Sequence, residues 1–317
     1  MPQLPFTAPW LLAPMAGVTD PCFRAVLLAR HGPGDLGGAC TEFLRVVDHG
    51  YRPSQVRKHL GEIPGSIPVG VQLMGSHEGA LAATAEAVLQ TEAAFLDLNF
   101  GCPTKGALTG CAGAALLREP RRLESIVRSC VQVCGPDLPV TAKIREGWDD
   151  AESGEELARA AEAGGASMLT VHCRTRSEHY TSQVDWTRIA RAVEAVKIPV
   201  CGNGGVLNHG DLQRMRTETG CAFVMVGHAA LADPWIFSGR SVSARAAAEF
   251  LHDYSQALER AGAGPRKRAA RLKQLLKVWR AGDLLATESD RRNWMVLGDP
   301  EQLLENIGTL ARAGASP

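Results

Sequence analysis

The feature that most restricts the fold of this chain is a short apolar run met eight times in succession, followed in seven cases by a helical pattern. The apolar runs are residues 10–15, 37–43, 69–74, 93–98, 139–144, 168–172, 199–203 and 223–226. Runs this short, with few polar interruptions, are strands buried on both faces, which is the signature of a parallel sheet covered by helices. Helical patterns follow at 20–31, 80–90, 121–133, 155–163, 186–196 and 211–217, with a short helix expected after Asp233-Pro234. Asp20 before Pro21 reads as an N-cap before a first-position proline. Eight such runs over roughly 230 residues predict a closed α/β barrel of the (β/α)8 type. A doubly wound open sheet is the alternative, and the regularity of the repeat favours closure. The barrel is expected over residues 1–243, with a small all-helical part over 244–317.

No apolar run approaches the ~20 residues that span a bilayer, so no membrane partner is expected. A basic stretch before the first apolar run is lacking, so a secretory signal is not expected either. The nine cysteines are odd in number and sit mostly in apolar strands and helices. That distribution predicts free thiols in a reducing cytoplasm. Cys130 and Cys134 lie four apart on a helix without a second pair at zinc spacing, so they read as packing and no metal is expected.

In a barrel of this type the site is built at the C-terminal ends of the strands. In strand order those ends carry Pro14-Met15-Ala16, Thr41-Glu42-Phe43, Gln72, Asn99 with Cys102, Lys143 with Arg145, His172 with Arg174, Asn203-Gly204-Gly205 and Gly227-His228. One polar residue at a strand end is ordinary capping, whereas a ring of them is a site. Asn203-Gly204-Gly205 and Gly227-His228 can bring backbone N–H groups close to a phosphate. Gln72 and Lys143 suit a polar planar ring, and Lys143 suits a Schiff base equally well. Cys102 follows a strand across a Gly-Cys-Pro turn, either as a small packed residue or as a thiol projecting into the cleft.

Charge is distributed unevenly. The chain is neutral, with 34 basic and 34 acidic residues. Yet between Gly264 and Gly282 lie Arg266, Lys267, Arg268, Arg271, Lys273, Lys277 and Arg280 without one acid, so the rest of the chain is net negative. Leu272, Leu275, Leu276 and Trp279 fall on one helical face, and Arg266, Lys273, Lys277 and Arg280 on another. One face is expected to pack and the other to meet nucleic acid.

Taken together, Ala13-Pro14-Met15, Gln72, Asn99-x-Gly-Cys102-Pro103, Lys143-Ile-Arg145, Val171-His172-x-Arg174-Thr175, Asn203-Gly204-Gly205 and Gly227-x-Ala-Leu231 resemble, in order, the tRNA-dihydrouridine synthases. The resemblance runs over essentially the whole chain. The run from Cys40 to Asp48 and Arg271-Leu-Lys273-Gln274 are similar to the bacterial C subfamily, which acts on uridine 16 of the D-loop.

That resemblance implies FMN at the barrel mouth, NADPH as its reductant and tRNA as the partner of a monomeric enzyme. A flipped uridine stacks on the flavin, hydride passes from flavin N5 to uracil C6, and a cysteine, here Cys102, protonates C5. Pro14, Met15, Ala16, Gln72, Lys143, Asn203, Gly204, Gly205, Gly227 and His228 match FMN-binding positions, with His172 beside the ring. Arg45, Asn99, Arg271 and Lys273 match tRNA contacts, and Lys277 extends the same basic face. A thiol is a suitable acid because its pKa lies near neutrality. Flipping the base costs a few kcal/mol, which phosphate contacts must offset.

The chain departs from the pattern in three places. His228 stands where an arginine is common, Cys111 adds a thiol near the acid in a loop less glycine-rich than usual, and Met295 replaces an expected basic residue. Two other readings stay open: an FMN barrel acting on a free small molecule, as a dihydroorotate dehydrogenase does, or a catalytically silent tRNA-binding protein. The joint presence of Cys102, Lys143 and His172 speaks against the second.

Overall fold

The computed structural model describes residues 2–178, 184–285 and 288–313. In chain order its elements are β1 (Trp10–Leu12), α1 (Pro21–Leu28), β2 (Gly38–Arg45), α2 (Pro53–Leu60), β3 (Val69–Met74), α3 (Glu78–Leu89), β4 (Leu96–Asn99), α4 (Lys105–Thr109), α5 (Pro120–Cys134), β5 (Val140–Arg145), α6 (Gly154–Ala163), β6 (Met168–His172), α7 (Thr187–Ala195), β7 (Val200–Asn203), α8 (His209–Thr219), β8 (Phe223–Val226) and α9 (His228–Ala232). A 3-10 turn, Gly113–Arg118, joins α4 to α5. Each strand pairs in parallel with the next, and β8 pairs back with β1 through Leu11↔Met225. The open-sheet alternative is thereby excluded.

Side chains fill the barrel rather than leaving a pore. Leu11, Ala13, Met168, Cys201 and Met225 form an interior cluster of their own. Phe6 closes the N-terminal end, edge-on to Phe95 at 5.1 Å and Phe223 at 5.2 Å. Above that layer the inward positions turn polar, and there the site begins. All nine cysteines are free thiols.

The structure differs from the sequence reading at two helices. α2 lies in a polar stretch, where only Val56 and Leu60 are buried, so the apolar pattern is too sparse to show it. The short helix expected after Asp233-Pro234 instead precedes that pair, as α9. The cause is Pro234: it pushes Asp233 to an extended conformation (φ −142°, ψ 98°), and the Asp233 carboxylate accepts from the Trp235 N–H at 2.9 Å.

The remaining elements are α10 (Ala244–Arg260), α11 (Pro265–Leu276), α12 (Glu288–Met295) and α13 (Pro300–Ala313). They are not hung on the barrel by a linker. Phe250 and Tyr254 of α10 meet Phe23 of α1 at ring separations of 5.9 and 5.7 Å, and Trp279 packs on Phe250 at 5.6 Å. Asp20 caps α1 through the Phe23 N–H at 2.9 Å, accepts from the Tyr254 hydroxyl at 3.0 Å and lies 3.4 Å from Arg271. Residue 244 therefore marks a change of architecture inside one continuous core. Leu272, Leu275, Leu276 and Trp279 are buried, as their spacing predicts. Arg268 is the exception within the basic run: it lies on that apolar stripe, donates to Ser255 and pairs with Glu259 at 3.1 Å and Glu301 at 2.8 Å. Among the described residues no helix is long and apolar enough to cross a membrane.

Candidate active site

A hydrogen-bonded relay begins inside the barrel and ends at Cys102. Asp97 on β4 is buried, and its two oxygens accept from Thr141 Oγ1 at 2.5 Å and Gln72 Nε2 at 2.6 Å. Because a carboxylate only accepts, the Gln72 amide must turn its nitrogen to Asp97. Its oxygen then accepts from Asn99 Nδ2 at 2.7 Å. Asn99 Oδ1 is left to accept from the backbone N–H groups of Gly101 and Cys102, both at 3.0 Å. The buried charge so decides which way two amides face, and the last amide holds the turn that presents the thiol. Burial raises the Asp97 carboxyl to about 6, against the pull of its two hydrogen-bond donors.

Asn99→Asp tests this order. The new carboxylate keeps accepting from the turn but faces Gln72 Oε1, so Gln72 must reverse and turn its own oxygen to Asp97. At neutral pH we expect a loss of about 1–3 kcal/mol, the cost of an unmade buried bond. Protonated Asp97 can donate to the reversed amide, so this variant has a folded-state Asp97 pKa raised further above its unfolded value. Its deficit against wild type is therefore present at pH 7.5 and shrinks as pH falls through about 6. Urea unfolding of both proteins at pH 7.5 and 5.5 measures this, and an equal deficit at the two pH values contradicts the relay.

Cys102 is half-buried, with Sγ 3.3 Å from Thr104 Oγ1. Its carbonyl accepts from the Ala114 N–H at 3.0 Å. At Gly113 (φ +59°) a Cβ would stand 2.9 Å from the Cys102 carbonyl oxygen, so the loop closes only on glycine. Arg145 on β5 braces the other side, donating from Nε to the Gly101 carbonyl and from Nη1 to the Thr175 carbonyl, both at 2.9 Å. Arg45 at the end of β2 reaches the same loop, Nη2 to the Gly106 carbonyl at 2.8 Å. Cys111 is exposed at a left-handed position (φ 49°) in this loop.

The rest of the mouth is cationic. Burial, with Arg145 beside it, lowers Lys143 to about 8. Burial and the charges of Lys143, Arg145 and Arg174 hold His172 well below the imidazole range, so it is neutral, with Nδ1 accepting from the Arg174 N–H at 3.3 Å. Desolvation and Arg174 also lower His228, the first residue of α9. Arg174 thus faces both histidines from a buried position. Gly204 (φ +108°) and Gly205 (φ +78°) follow β7, where a Cβ would strike Cys173 Sγ at 2.8 Å and Val184 at 2.7 Å respectively. Trp186 fixes the turn, donating from Nε1 to the Gly204 carbonyl at 3.0 Å, and Asn203 donates to the Met225 carbonyl at 2.8 Å. Met15 stands against Gly227, its Sδ 3.4 Å from where a Cβ there would be. Glycine backbone beside Arg174 and His228 fits an anionic phosphate, and Lys143 and Gln72 fit the polar edge of a flat ring.

The structure gathers Pro14, Met15, Ala16, Gln72, Asn99, Cys102, Lys143, His172, Asn203, Gly204, Gly205, Gly227 and His228 at one barrel end. Arg271 joins them from α11, donating to the Gly17 carbonyl beside its pair with Asp20. Lys273 is half-buried and Lys277 exposed, the latter roughly 9 Å along α11 from Arg271. Met295 is exposed on α12. The sequence reading places Arg145 and Arg174 in the ring of strand ends without a particular role, and misses Asp97 and Thr141 altogether. Asp97 sits two residues before Asn99, the strand period for one face, and that spacing is the signal that could have found it.

Residues 11–277 match the model of the dihydrouridine synthase (Dus) family. A probable tRNA-dihydrouridine synthase of Rhodobacter capsulatus is 38% identical over 231 residues, 72% of this chain and 69% of that one. The tRNA-dihydrouridine(16) synthase of Haemophilus influenzae is 37% identical, over 71% of this chain and 74% of its own. A tRNA-dihydrouridine synthase B of Xanthomonas axonopodis is 38% identical, over 72% and 67%.

Proposed function

We infer what this protein does from one premise: it belongs to the dihydrouridine synthase family and makes dihydrouridine in tRNA. We assign the reaction to uridine 16 of the D-loop, with FMN as the bound cofactor and NADPH as reductant. The observation that carries the reading is the thiol of Cys102, held at the mouth by Asn99 with a cationic glycine cradle around the opposite strands.

FMN bound there supplies the hydride that C6 of the uracil accepts. The backbone of Gly204, Gly205 and Gly227, with Arg174 and His228, would hold its phosphate. Pro14, Met15 and Ala16 after β1, with Gln72, Lys143 and His172, are the residues that would hold its ring. With one hydrogen of Gln72 Nε2 held by Asp97, the amide has a second hydrogen left to donate. Neutral His172 contributes no charge, so Lys143 and Arg174 carry the positive field. Cys102 gives its proton to C5, becomes a thiolate and recovers a proton from solvent.

RNA must supply the binding energy that lifts the base from its loop. Residues 244–317 are the part we assign to it: Lys273, Lys277 and Arg271 on α11, with Arg45 on the barrel side. Such a surface has no purpose for a free small molecule. Free thiols suit a cytoplasmic enzyme, and one chain holds the whole site.

The test is mass-spectrometric mapping of unmodified tRNA incubated with the protein, FMN and NADPH. Dihydrouridine at position 16 alone is the expected result. Modification at another D-loop position moves the assignment, and a protein that releases no flavin on denaturation, even after reconstitution, removes the cofactor.

A further inference from the structure

We propose that the barrel rim carries a second RNA-backbone contact, two arginines held over Trp148, which takes phosphates of the same tRNA from the side of the mouth opposite α11. The proposal rests on the tRNA reading above. Trp148 is half-buried in the loop after β5. The Cζ atoms of Arg176 and Arg118 lie 4.6 and 5.4 Å from its ring centroid. Backbone bonds lock the two carrying loops together, Arg176 N–H to the Gly147 carbonyl at 2.9 Å and Ser177 N–H to the Trp148 carbonyl at 3.1 Å.

The place is the frame of the cysteine. Arg118 ends the 3-10 turn that hangs from the Cys102 carbonyl, and Arg145 ties Gly101 to Thr175, the residue before Arg176. α11 touches the loop after β1, four strands round the barrel from β5, so the two basic surfaces flank the mouth. Four neighbouring arginines of this half are paired with carboxylates: Arg122 with Glu119, Arg128 with Glu124, Arg188 with Glu178 and Arg191 with Glu146. Arg118 and Arg176 have neither a carboxylate within ion-pair distance nor a side-chain hydrogen bond among the described residues. Asp149, Asp150 and Glu152 share the Trp148 loop yet pair with neither; Asp150 accepts from the Glu152 N–H at 3.0 Å.

An arginine flat on an indole is the ordinary packing of a long side chain, and that is the plainer account of each one singly. Two together, without a carboxylate and on loops tied to the turn that carries Cys102, are better explained by an anionic partner. Stacking orders the guanidinium while leaving its in-plane N–H groups directed outward, so little freedom is lost when a phosphate arrives.

The test measures tRNA affinity over a salt series for wild type, Arg118→Ala/Arg176→Ala and Lys273→Ala/Lys277→Ala, with flavin content read on each. The rim pair should lower the salt slope by about one unit per arginine, like the α11 pair, with flavin content unchanged. Arg118→Lys/Arg176→Lys keeps charge without the planar stack, and should restore the slope while leaving affinity several-fold below wild type. An unchanged slope in the rim alanine pair, with a reduced one in the α11 pair, overturns the proposal. Wild-type protein that fails to bind tRNA overturns the reading beneath it.

Discussion

Cys102→Ala is expected to keep flavin and to bind tRNA within a few-fold of wild type, while reoxidation of its reduced flavin by tRNA slows by ~10² to 10⁴, the usual worth of a positioned acid. The backbone reasons are specific. The Cys102 N–H bonds to Asn99 and its carbonyl to Ala114, and both bonds survive the substitution. The thiol's one hydrogen bond is with Thr104 Oγ1, and its packing against the Met74, Ala107 and Ala112 cluster is kept in part by a methyl group. Flavin reduction by NADPH precedes any proton at C5 and should be unaffected. Cys111 is the control: it is exposed in the same loop, and its bond to the Leu108 carbonyl is made by the backbone N–H and survives the substitution, so Cys111→Ala should leave the rate nearly intact. Anaerobic stopped-flow mixing of reduced enzyme with unmodified tRNA decides it. Normal reoxidation in Cys102→Ala, or an equal loss in Cys111→Ala alone, assigns the acid elsewhere.

Gly204→Ala should yield a protein at least tenfold poorer in FMN and less stable by roughly 2–6 kcal/mol. The figure combines about 1–3 for a left-handed residue that is not glycine with a similar cost for overpacking. The new methyl group would lie 2.8 Å from Cys173 Sγ, 3.3 Å from His172 Cε1 and 3.4 Å from Nε2. Cys173 is fully buried and has nowhere to retreat, so His172 or the turn must move. Either movement spoils the cradle. Gly227→Ala is the comparison, because its methyl would meet Met15 Sδ and Ala13 Cβ at ordinary contact distances of 3.4 and 3.8 Å. The ratio of flavin to protein absorbance and a thermal melt measure both effects. A Gly204→Ala protein as yellow as wild type shows that the phosphate is held elsewhere.

The barrel is legible in the sequence because a parallel strand buried on both faces cannot carry many polar residues, so each strand announces itself as a near-continuous apolar run. α2 is illegible for the converse reason: it covers the barrel with Val56 and Leu60 alone. Strand ends also locate the mouth, since polar residues there break every run at the same height. Pairings across the mouth are another matter. Arg174 and His228 lie 54 positions apart, and only closure of the barrel brings the guanidinium to the imidazole. Arg268 adds to a conspicuous basic run in composition, yet it stands four residues before Leu272 and shares its buried face. Asp97 hides within an apolar strand: its spacing to Asn99 marks the shared face, but its partners Gln72 and Thr141 come from the two neighbouring strands.

The interlocked rings of Phe23, Phe250, Tyr254 and Trp279, with Asp20 serving α1, Tyr254 and Arg271 at once, bear on how such enzymes diverge. A C-terminal helical segment bound this way is not a cassette. Grafting one from a relative that modifies a different nucleotide would bring the wrong half of a shared core, and the chimera would fail before its choice of target could be read. If residues 244–317 meet the tRNA as proposed, target choice would drift through outward-facing residues, on helices whose inward faces are held by the barrel. Anyone redirecting the enzyme faces the same constraint, and should redesign the charged exterior of α11 in place.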